Sequence, residues 1–151
     1  MFRGVSALSL DSKGRLAIPS RHRERINEIS EGQMVVTVDR DYCLLLYPLP
    51  EWETLERKLT KLSSLNPSIR RLQRLYIGHA TDVEMDGSGR ILLPPPLREF
   101  AGLERRAVLV GQGNKFEIWD EERWNAQRDA WLEEESDGEP ELPAELEGLS
   151  L

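Results

Sequence analysis

The chain has 151 residues, enough for one compact domain or two small ones that share a core. Hydrophobic residues make up 39% and charged residues 31%, a composition typical of a soluble globular protein. The longest dense apolar stretch, 43–49, is much shorter than the roughly 20 residues of a membrane-spanning helix. The first residues contain no apolar signal-peptide core, so we expect a cytoplasmic protein without a membrane partner.

The net charge of −7 is distributed unevenly along the chain. Residues 133–151 contain eight acidic residues and no basic one, and the rest of the chain carries a net charge of +1. Residues 1–75 carry +4, whereas residues 76–132 carry −3. The tightest basic cluster consists of Lys13, Arg15, Arg21, Arg23 and Arg25. Because local clustering of positive charge favours phosphate binding more than the total charge does, nucleic acid stays a candidate partner.

In the first half, alternating apolar residues at Leu8 and Leu10 predict a strand, and a turn at Gly14 leads into a second short strand, 16–18. Pro19 ends that strand and suits the first turn of a helix, which we predict over 20–29. The next segments are a hairpin (35–38 and 44–47), a helix that opens at Pro50, and a helical stretch over 68–76.

The second half predicts the same order of elements. Val83 and Met85 lie on one face of a strand, and a glycine-containing turn joins it to a strand over 91–93. The remaining elements are a helix over 95–101 that stops at Gly102, a hairpin (107–110 and 116–119), and a helix with Asp120 as its N-cap. From residue 133 the acidic segment with its prolines and glycine predicts a disordered tail.

A repeated segment explains this parallel. Residues 11–19 read DSKGRLAIP and residues 86–94 read DGSGRILLP, with Asp, Gly, Arg and Pro identical at an offset of 75. Arg23-Glu24 matches Arg98-Glu99 at the same offset, whereas Tyr47 and Trp52 match Trp119 and Trp124 at an offset of 72. We assign the three-residue difference to a longer loop around 29–33 in the first copy.

One copy, with about four short strands, cannot close its own sheet, but two copies can do so by exchanging strands. We therefore predict an α+β fold, mainly β, made of tandem half-barrels related by a pseudo-twofold axis, with flanking helices. The predicted segments are a first module, a helical connection, a second module, the end of the last helix and the tail, at 1–52, 53–76, 77–124, 125–132 and 133–151.

The repeated segment also holds the candidate site. Aspartate accepts hydrogen bonds from turn amides and glycine permits a positive φ, so turn-shaping roles are predicted for Asp11, Gly14, Pro19, Asp86, Gly89 and Pro94. The arginine four residues after each aspartate either pairs with it or projects outward. Guanidinium and ammonium groups bind phosphates and guanine edges, so the DNA-binding candidates are Arg15, Lys13, Arg3, Arg21, Arg23 and Arg90. The first copy has more basic neighbours, which favours it as the stronger DNA-contacting side.

Other chemistry is sparse in the sequence. The single cysteine, Cys43, lies in an apolar run and predicts a buried, unreactive thiol. We expect His22 to be exposed on the basic helix. His22 and His79 lack the spacing of metal ligands, and we predict no metal, cofactor or small-molecule ligand. No nucleophile–base pair indicates an enzyme. We expect Trp52, Trp124 and Trp131 to lie in the core or at a subunit interface.

The two repeated segments, in order and correctly spaced, together with Phe2-Arg3-Gly4, resemble the MraZ family of bacterial regulators over about residues 1–132. This resemblance implies tandem AbrB-like modules in a double-psi or swapped-hairpin barrel. It further implies a nucleoid-associated transcription factor that binds repeated elements in its own promoter region, upstream of the division and cell-wall gene cluster. A ring-like homo-oligomer is part of the same expectation.

The alternative is an oligomeric protein-interaction or antitoxin-like module without sequence-specific DNA binding. The acidic tail keeps this alternative open, because AbrB-type folds also serve as antitoxins, in which a disordered tail masks a toxin. In the regulator, the tail either solubilises the protein or competes with DNA for the basic surface.

Overall fold

The computed structural model describes residues 1–136, 143–146, 148 and 149, and the chain divides into two units, Met1–Glu121 and Glu122–Leu151. The first unit contains eight strands: β1 (Phe2–Ser9), β2 (Arg15–Ala17), β3 (Gln33–Val38), β4 (Leu44–Pro48), β5 (Thr81–Glu84), β6 (Arg90–Leu92), β7 (Arg106–Gly113) and β8 (Phe116–Asp120). Its helices are α1 (Ser20–Ser30), α2 (Leu49–Lys61), α3 (Pro67–Leu72), which continues as a π-helical turn (Gln73–Ile77), and α4 (Pro95–Ala101).

The second unit is helical where it is described. Helix α5 (Glu121–Ser136) begins at the end of the first unit, and a 3₁₀ turn covers Ala144–Leu146. The rings of Trp124 and Trp131 meet edge to face with their centroids 6.0 Å apart. The helix extends four residues into the segment predicted as the tail, and the predicted disorder of 137–142, 147, 150 and 151 lies outside the described residues.

The sheets of the first unit show the strand exchange that the repeat predicts. The strand order is β1-β7-β8-β4-β3-β5 in a six-stranded antiparallel sheet, and β2 pairs with β6 in a separate ribbon. Strands β1, β3 and β4 of the first half correspond to β5, β7 and β8 of the second. If each strand is replaced by its counterpart, the same strand order is obtained, read from the other edge of the sheet. A pseudo-twofold axis therefore passes between β4 and β8 and through the ribbon. The α+β class is confirmed, and within the first unit the helices contain about as many residues as the strands.

Each half completes the sheet of the other at its edge. Strand β1 pairs with β7 of the second half from Phe2↔Gly113 to Ser9↔Arg106. Strand β5 pairs in turn with β3 of the first half, where Met34 lies opposite Val83. Backbone N–H and C=O groups that would be unpaired in a single half are thus paired between the halves.

Apolar side chains alternate between the two faces of the sheet. One face packs against α1, α4 and the ribbon, where Leu16, Ile18, Ile91 and Leu93 have no exposed surface. The opposite face of β3 and β4 packs against α2 and the π-helical turn through a cluster of Val35, Leu45, Tyr47 and Trp52. Trp52 therefore lies in a core, as its helical spacing predicted.

The length difference between the copies lies in a helix, the loop after it and a hairpin turn. Helix α1 has 11 residues and α4 has seven, and each ends at a residue in the left-handed conformation, Glu31 or Gly102. The prediction of a longer loop around 29–33 was therefore wrong, because α1 is one turn longer than α4 and the loop after it is shorter. These changes add two residues to the first copy, and the third lies in its hairpin turn, between Val38 and Leu44. The additional helical turn covers residues 27–30 and contains Ile29, which is partly buried and packs against the core.

The two repeated turns also contact each other's halves. Ile18 N donates to Gly89 O at 2.8 Å, and Leu93 N donates to Gly14 O at 3.1 Å. Two equivalent side chains, which we term the reciprocal arginines, extend these contacts. Arg23 Nε donates to Ile18 O at 2.6 Å and Arg98 Nε to Leu93 O at 3.0 Å.

The reciprocal arginines lie against the glycines of the turns. A Cβ atom at Gly14 would lie 2.5 Å from Arg98 Nε, and one at Gly89 would lie 2.5 Å from Arg23 Cδ. Both glycines also have positive φ values, 84° and 76°. Glycine is thus required twice at each turn, for its backbone conformation and for the space that the arginine occupies.

We expect Gly89→Ala to lower the free energy of unfolding by about 1–3 kcal/mol, because alanine strains a positive-φ position and displaces Arg23. Urea denaturation measures this loss. Gly87→Ala in the same turn is the matched control, since nothing lies within 4 Å of its Cβ position. Equal stability of the two variants would contradict this account of the turn.

Candidate nucleic-acid interface

The first turn is organised by one carboxylate. Asp11 Oδ1 accepts hydrogen bonds from the amides of Lys13 and Arg15 at 2.9 and 2.8 Å, and its Oδ2 accepts from Arg15 Nε at 2.6 Å. The amide of Gly14 donates to Asp11 O at 3.0 Å and closes the turn. Asp11 therefore fixes both the backbone of the turn and the direction of the Arg15 side chain.

The second turn repeats this geometry. Asp86 accepts from the amides of Ser88 and Arg90, both at 2.9 Å, and from Arg90 Nε at 3.0 Å. The sequence left open whether these arginines pair with the aspartates or project outward. In the structure, each arginine pairs with its aspartate through Nε. The side chains stay 31% exposed at Arg15 and 37% at Arg90, and neither guanidinium has a further hydrogen bond among the described residues. Both keep Nη donors for an external ligand.

Hydrogen bonding holds both aspartates in the charged form. The Arg15 amide, followed by the Arg15 guanidinium and the Lys13 amide, lowers the pKa of Asp11 from 3.8 to about 2. The Arg90 amide is the main cause of a lowered pKa at Asp86. At neutral pH each carboxylate thus offsets part of the positive charge of its arginine and keeps the side chain in place.

The ribbon brings Arg15 and Arg90 onto one surface. Arg15 lies opposite Leu92, and Ala17 lies opposite Arg90, so the two arginines occupy a diagonal of the antiparallel pair. Their Cα atoms are therefore roughly 7–8 Å apart on the same face. Ala17 and Leu92 share that face and are exposed, whereas Leu16 and Ile91 face the core. The exposed face of the ribbon is thus framed by one arginine from each half.

The other basic candidates do not form one cluster with Lys13 and Arg15. Lys13 is exposed at the tip of the first turn. Arg3 is exposed near the start of β1, six residues and about 20 Å from the end of that strand, where the first turn begins. Arg21 Nη2 donates to Ser6 Oγ at 2.7 Å on the face of β1 that carries Phe2. Because strand residues alternate between faces, Arg3 points to the other face.

Arg23 lies at the opposite end of the ribbon from the first turn. The strands of the ribbon are antiparallel, so α1 begins beside the second turn and α4 beside the first. Arg23 accordingly contacts Gly89, and Arg98 contacts Gly14. The basic cluster at 13–25 is therefore continuous in sequence but divided in space, and Arg98 was missed as the neighbour of the first turn. The match of Arg23-Glu24 with Arg98-Glu99 was the signal for it.

His22 was predicted to be exposed, and this prediction was wrong. It is 6% exposed, with its ring centroid 5.8 Å from that of Phe2 and 5.0 Å from that of Phe116. His22 and Ile26 are four residues apart and share the buried face of α1. Burial, with a smaller effect of Arg21, lowers the pKa of His22, so this histidine adds no charge at neutral pH.

One group of potential metal ligands occurs among the described residues. Ligand atoms of Asp39, Cys43 and Glu117 lie within 4.8 Å of one another. The carboxylates accept hydrogen bonds from the amide of Asp41 and from Trp119 Nε1. Burial and the neighbouring carboxylates raise the pKa of Cys43, which agrees with the predicted unreactive thiol although charged neighbours were not foreseen. The arrangement is that of a hydrogen-bonded polar cluster.

We expect the contribution of Asp11 to stability to depend on pH below 4. Its folded pKa of about 2 is lower than the value of about 3.9 in an unfolded chain. The contribution is therefore present above pH 4 and lost as the pH falls towards 2. Asp11→Asn should be less stable than the wild type at pH 7, with a difference that shrinks on acidification, as measured by urea denaturation.

Asp82→Asn is the control for this experiment, because Asp82 is an exposed aspartate on β5. A difference between the wild type and Asp11→Asn that stays constant from pH 7 to pH 2.5 would contradict the charge-based account.

Comparison with known proteins places this geometry in a family. The chain matches the family model "MraZ protein, putative antitoxin-like" over residues 1–75 and again over 76–141. The two matches fit the predicted tandem AbrB-like arrangement. In the described part of the chain, no helix combines the length and the apolar character that crossing a membrane requires.

Full-length relatives agree with this match. The chain is 60% identical to the transcriptional regulator MraZ of Halorhodospira halophila over 152 residues and 60% identical to that of Thioalkalivibrio sulfidiphilus over 151. It is 55% identical to that of Yersinia pestis over 152 residues. Each comparison covers 100% of both chains. The relatives are named as transcriptional regulators, in agreement with the predicted regulator and not with an enzyme. The chain belongs to the MraZ family.

Proposed function

We propose that this chain is a sequence-specific DNA-binding transcriptional regulator that presents the β2–β6 ribbon to the major groove. The observation that carries the proposal is the placement of Arg15 and Arg90 on the one exposed face of the ribbon. The major groove admits a two-stranded β-ribbon, and arginine pairs bidentately with guanine O6 and N7. The proposed target is the set of repeated elements in the promoter region of its own operon, upstream of the division and cell-wall genes.

The Asp11–Arg15 pair supports this role. Asp11 accepts a hydrogen bond from Arg15 Nε, so the Nη donors of Arg15 stay available on the solvent side of the turn. A side chain that is already held in place loses less conformational entropy when it binds, which favours specific over diffuse contacts. We therefore propose Arg15 as a base-edge or phosphate contact and Lys13, at the tip of the same turn, as a phosphate contact.

The two ends of the ribbon differ in their surroundings. Exposed Asp82 and Glu84 on β5 lie in the strand that leads to the second turn, whereas the equivalent positions on β1 are Ala7 and Ser9. Negative charge repels a DNA backbone, so we propose that Arg90 contributes less than Arg15. Arg3 and Arg21 remain proposed phosphate contacts outside the ribbon.

Arg23 receives a different role in this proposal. Its Nε is held by Ile18 O and its side chain lies against Gly89, so it supports the second turn from the side of the protein. A DNA contact by this residue would use only the outer part of its guanidinium.

Assembly into a ring-like homo-oligomer in the cytoplasm, associated with the nucleoid, completes the proposal. Two features support self-association. Strand β1 is an eight-residue edge strand, and a long unpaired edge is a template for another chain. On α5, Trp131 and Leu132 are 38% and 62% exposed, an apolar surface that a second subunit would cover.

Arg15→Ala should weaken binding to the DNA upstream of the chain's own gene by roughly tenfold, because a bidentate arginine contact contributes about 1–3 kcal/mol. Arg90→Ala should cause a smaller loss. Arg71→Ala is the control, because Arg71 is an exposed arginine on α3, away from the ribbon. Fluorescence anisotropy at several salt concentrations, with random DNA as competitor, measures these differences.

If the wild type binds its upstream DNA no more tightly than random DNA, the regulator proposal fails and the protein-interaction or antitoxin-like alternative gains support. If Arg15→Ala binds like the wild type, the assignment of the contact to Arg15 fails.

In size-exclusion chromatography with light scattering, we expect the wild type to elute as a discrete assembly larger than a dimer. Trp131→Ala combined with Leu132→Ala should yield smaller species, because the apolar contact area is reduced. A wild type that stays monomeric at micromolar concentration would contradict the ring.

A further inference from the structure

We propose that Arg105 and Arg106, which belong to the second half, form a phosphate-binding recess beside the first turn and bind the DNA backbone there. The proposal rests on the proposed function, since it assumes that the ribbon approaches DNA. The recess has a volume of about 550 Å³ and lies between the end of β1, the Asp11 side of the first turn and the start of β7. These two arginines were not among the residues that the sequence pointed to.

Backbone pairing places the arginines at this position. Leu10 N donates to Arg105 O at 2.8 Å, directly before the first turn. Arg106 Nη1 donates to Ser9 Oγ at 3.3 Å, and its Nη2 donates to Glu121 Oε2 at 3.3 Å. Arg106 is therefore held over the end of β1, whereas the Arg105 side chain is exposed and has no hydrogen bond within the described part of the chain.

The charges around the recess favour an anion. Arg98, Arg105 and Arg106 line it together with two acids, of which Glu104 has no ion pair within the described residues, and Arg106 is itself paired with Glu121. The other acid, Asp11, is already paired with Arg15. The hydroxyl groups of Ser9 and Ser12 lie in the same lining and donate hydrogen bonds readily to phosphate oxygens. Arginine is the side chain best suited to bind a phosphate with two parallel hydrogen bonds.

The pseudo-twofold symmetry supplies an internal comparison. The equivalent of the Leu10–Arg105 backbone hydrogen bond is Met85 N to Gly32 O at 2.9 Å, so Gly32 and Gln33 take the places of Arg105 and Arg106. Glu84 takes the place of Ser9. Beside the second turn the recess has therefore lost two arginines and gained a carboxylate, although the backbone hydrogen bond is kept. Gly32 itself has a positive φ of 82°, so glycine there also suits the left-handed backbone at the end of α1. The fold does not require the arginines, which favours a ligand at the first turn as their reason.

The basic surface of the ribbon is thus composite. Lys13 and Arg15 come from the first half, while the positive charge beside them comes from the second. A DNA strand whose bases meet Arg15 has its neighbouring phosphates within reach of this recess, and we infer that the backbone crosses the first-turn end of the ribbon.

The test uses the full-length Arg105→Gln/Arg106→Gln variant and its upstream DNA over a range of salt concentrations. Each lost phosphate contact lowers the slope of log K against log salt by about one. We expect the slope to fall by about two and the affinity to fall for specific and random DNA alike, so that the ratio between them is unchanged. Arg105→Gln alone, which breaks no hydrogen bond in the described structure, should lower the slope by about one.

The control variant, Arg71→Gln/Arg74→Gln, has the same change in net charge on exposed arginines away from the ribbon. A slope for Arg105→Gln/Arg106→Gln equal to that of the control would overturn the recess. The wild type and Arg15→Ala are measured in the same experiment. If the wild type binds its upstream DNA specifically and Arg15→Ala does not, while the recess variants bind like the control, the recess inference fails and the proposed function stands.

A free anion is the other source of phosphate chemistry. If inorganic phosphate raises the melting temperature of the wild type but not of the double variant, while the DNA salt slopes of both are equal, the recess binds a free anion and the DNA proposal is overturned.

Discussion

Backbone hydrogen bonding between the two halves is the constraint on which the rest of this structure depends. Neither β3 nor β7 would have a partner on its outer side without the strand that the other half provides. Unpaired backbone groups at a sheet edge destabilise a small fold, and pairing them ties the halves into one unit. The ribbon, the two turns and the helices that follow them take their positions from this exchange.

The exchange explains why neighbours in sequence are separated in space. Antiparallel pairing of β2 with β6 puts the turn of one half beside the helix of the other. Arg23 and Arg98 then reach across to the glycine of the opposite turn, and Arg105 follows the same rule through its backbone contact with Leu10. Each turn is consequently built from its own aspartate and from an arginine of the other half.

Local features were predictable from the sequence and contacts between the halves were less so. The Asp-x-x-Gly-Arg spacing is sufficient to predict a turn, because the carboxylate reaches amides two and four residues away. Strand exchange followed from the repeat alone. The side on which Arg23 lies did not, since it depends on the strand direction within the ribbon, and His22 was misplaced because its basic neighbours concealed its spacing with the buried Ile26.

The palindromic strand order has a consequence for how the protein meets a target. A dimer of identical half-chains would make the same sheet, but each substitution would then occur at both ends of the ribbon. Joining the halves in one chain allows Arg105 to face one turn while Gly32 faces the other. A fold that is symmetric in its backbone can thus be asymmetric in its charge. The ribbon that we propose as the DNA contact therefore has two unlike ends, which would give that contact a direction along the double helix.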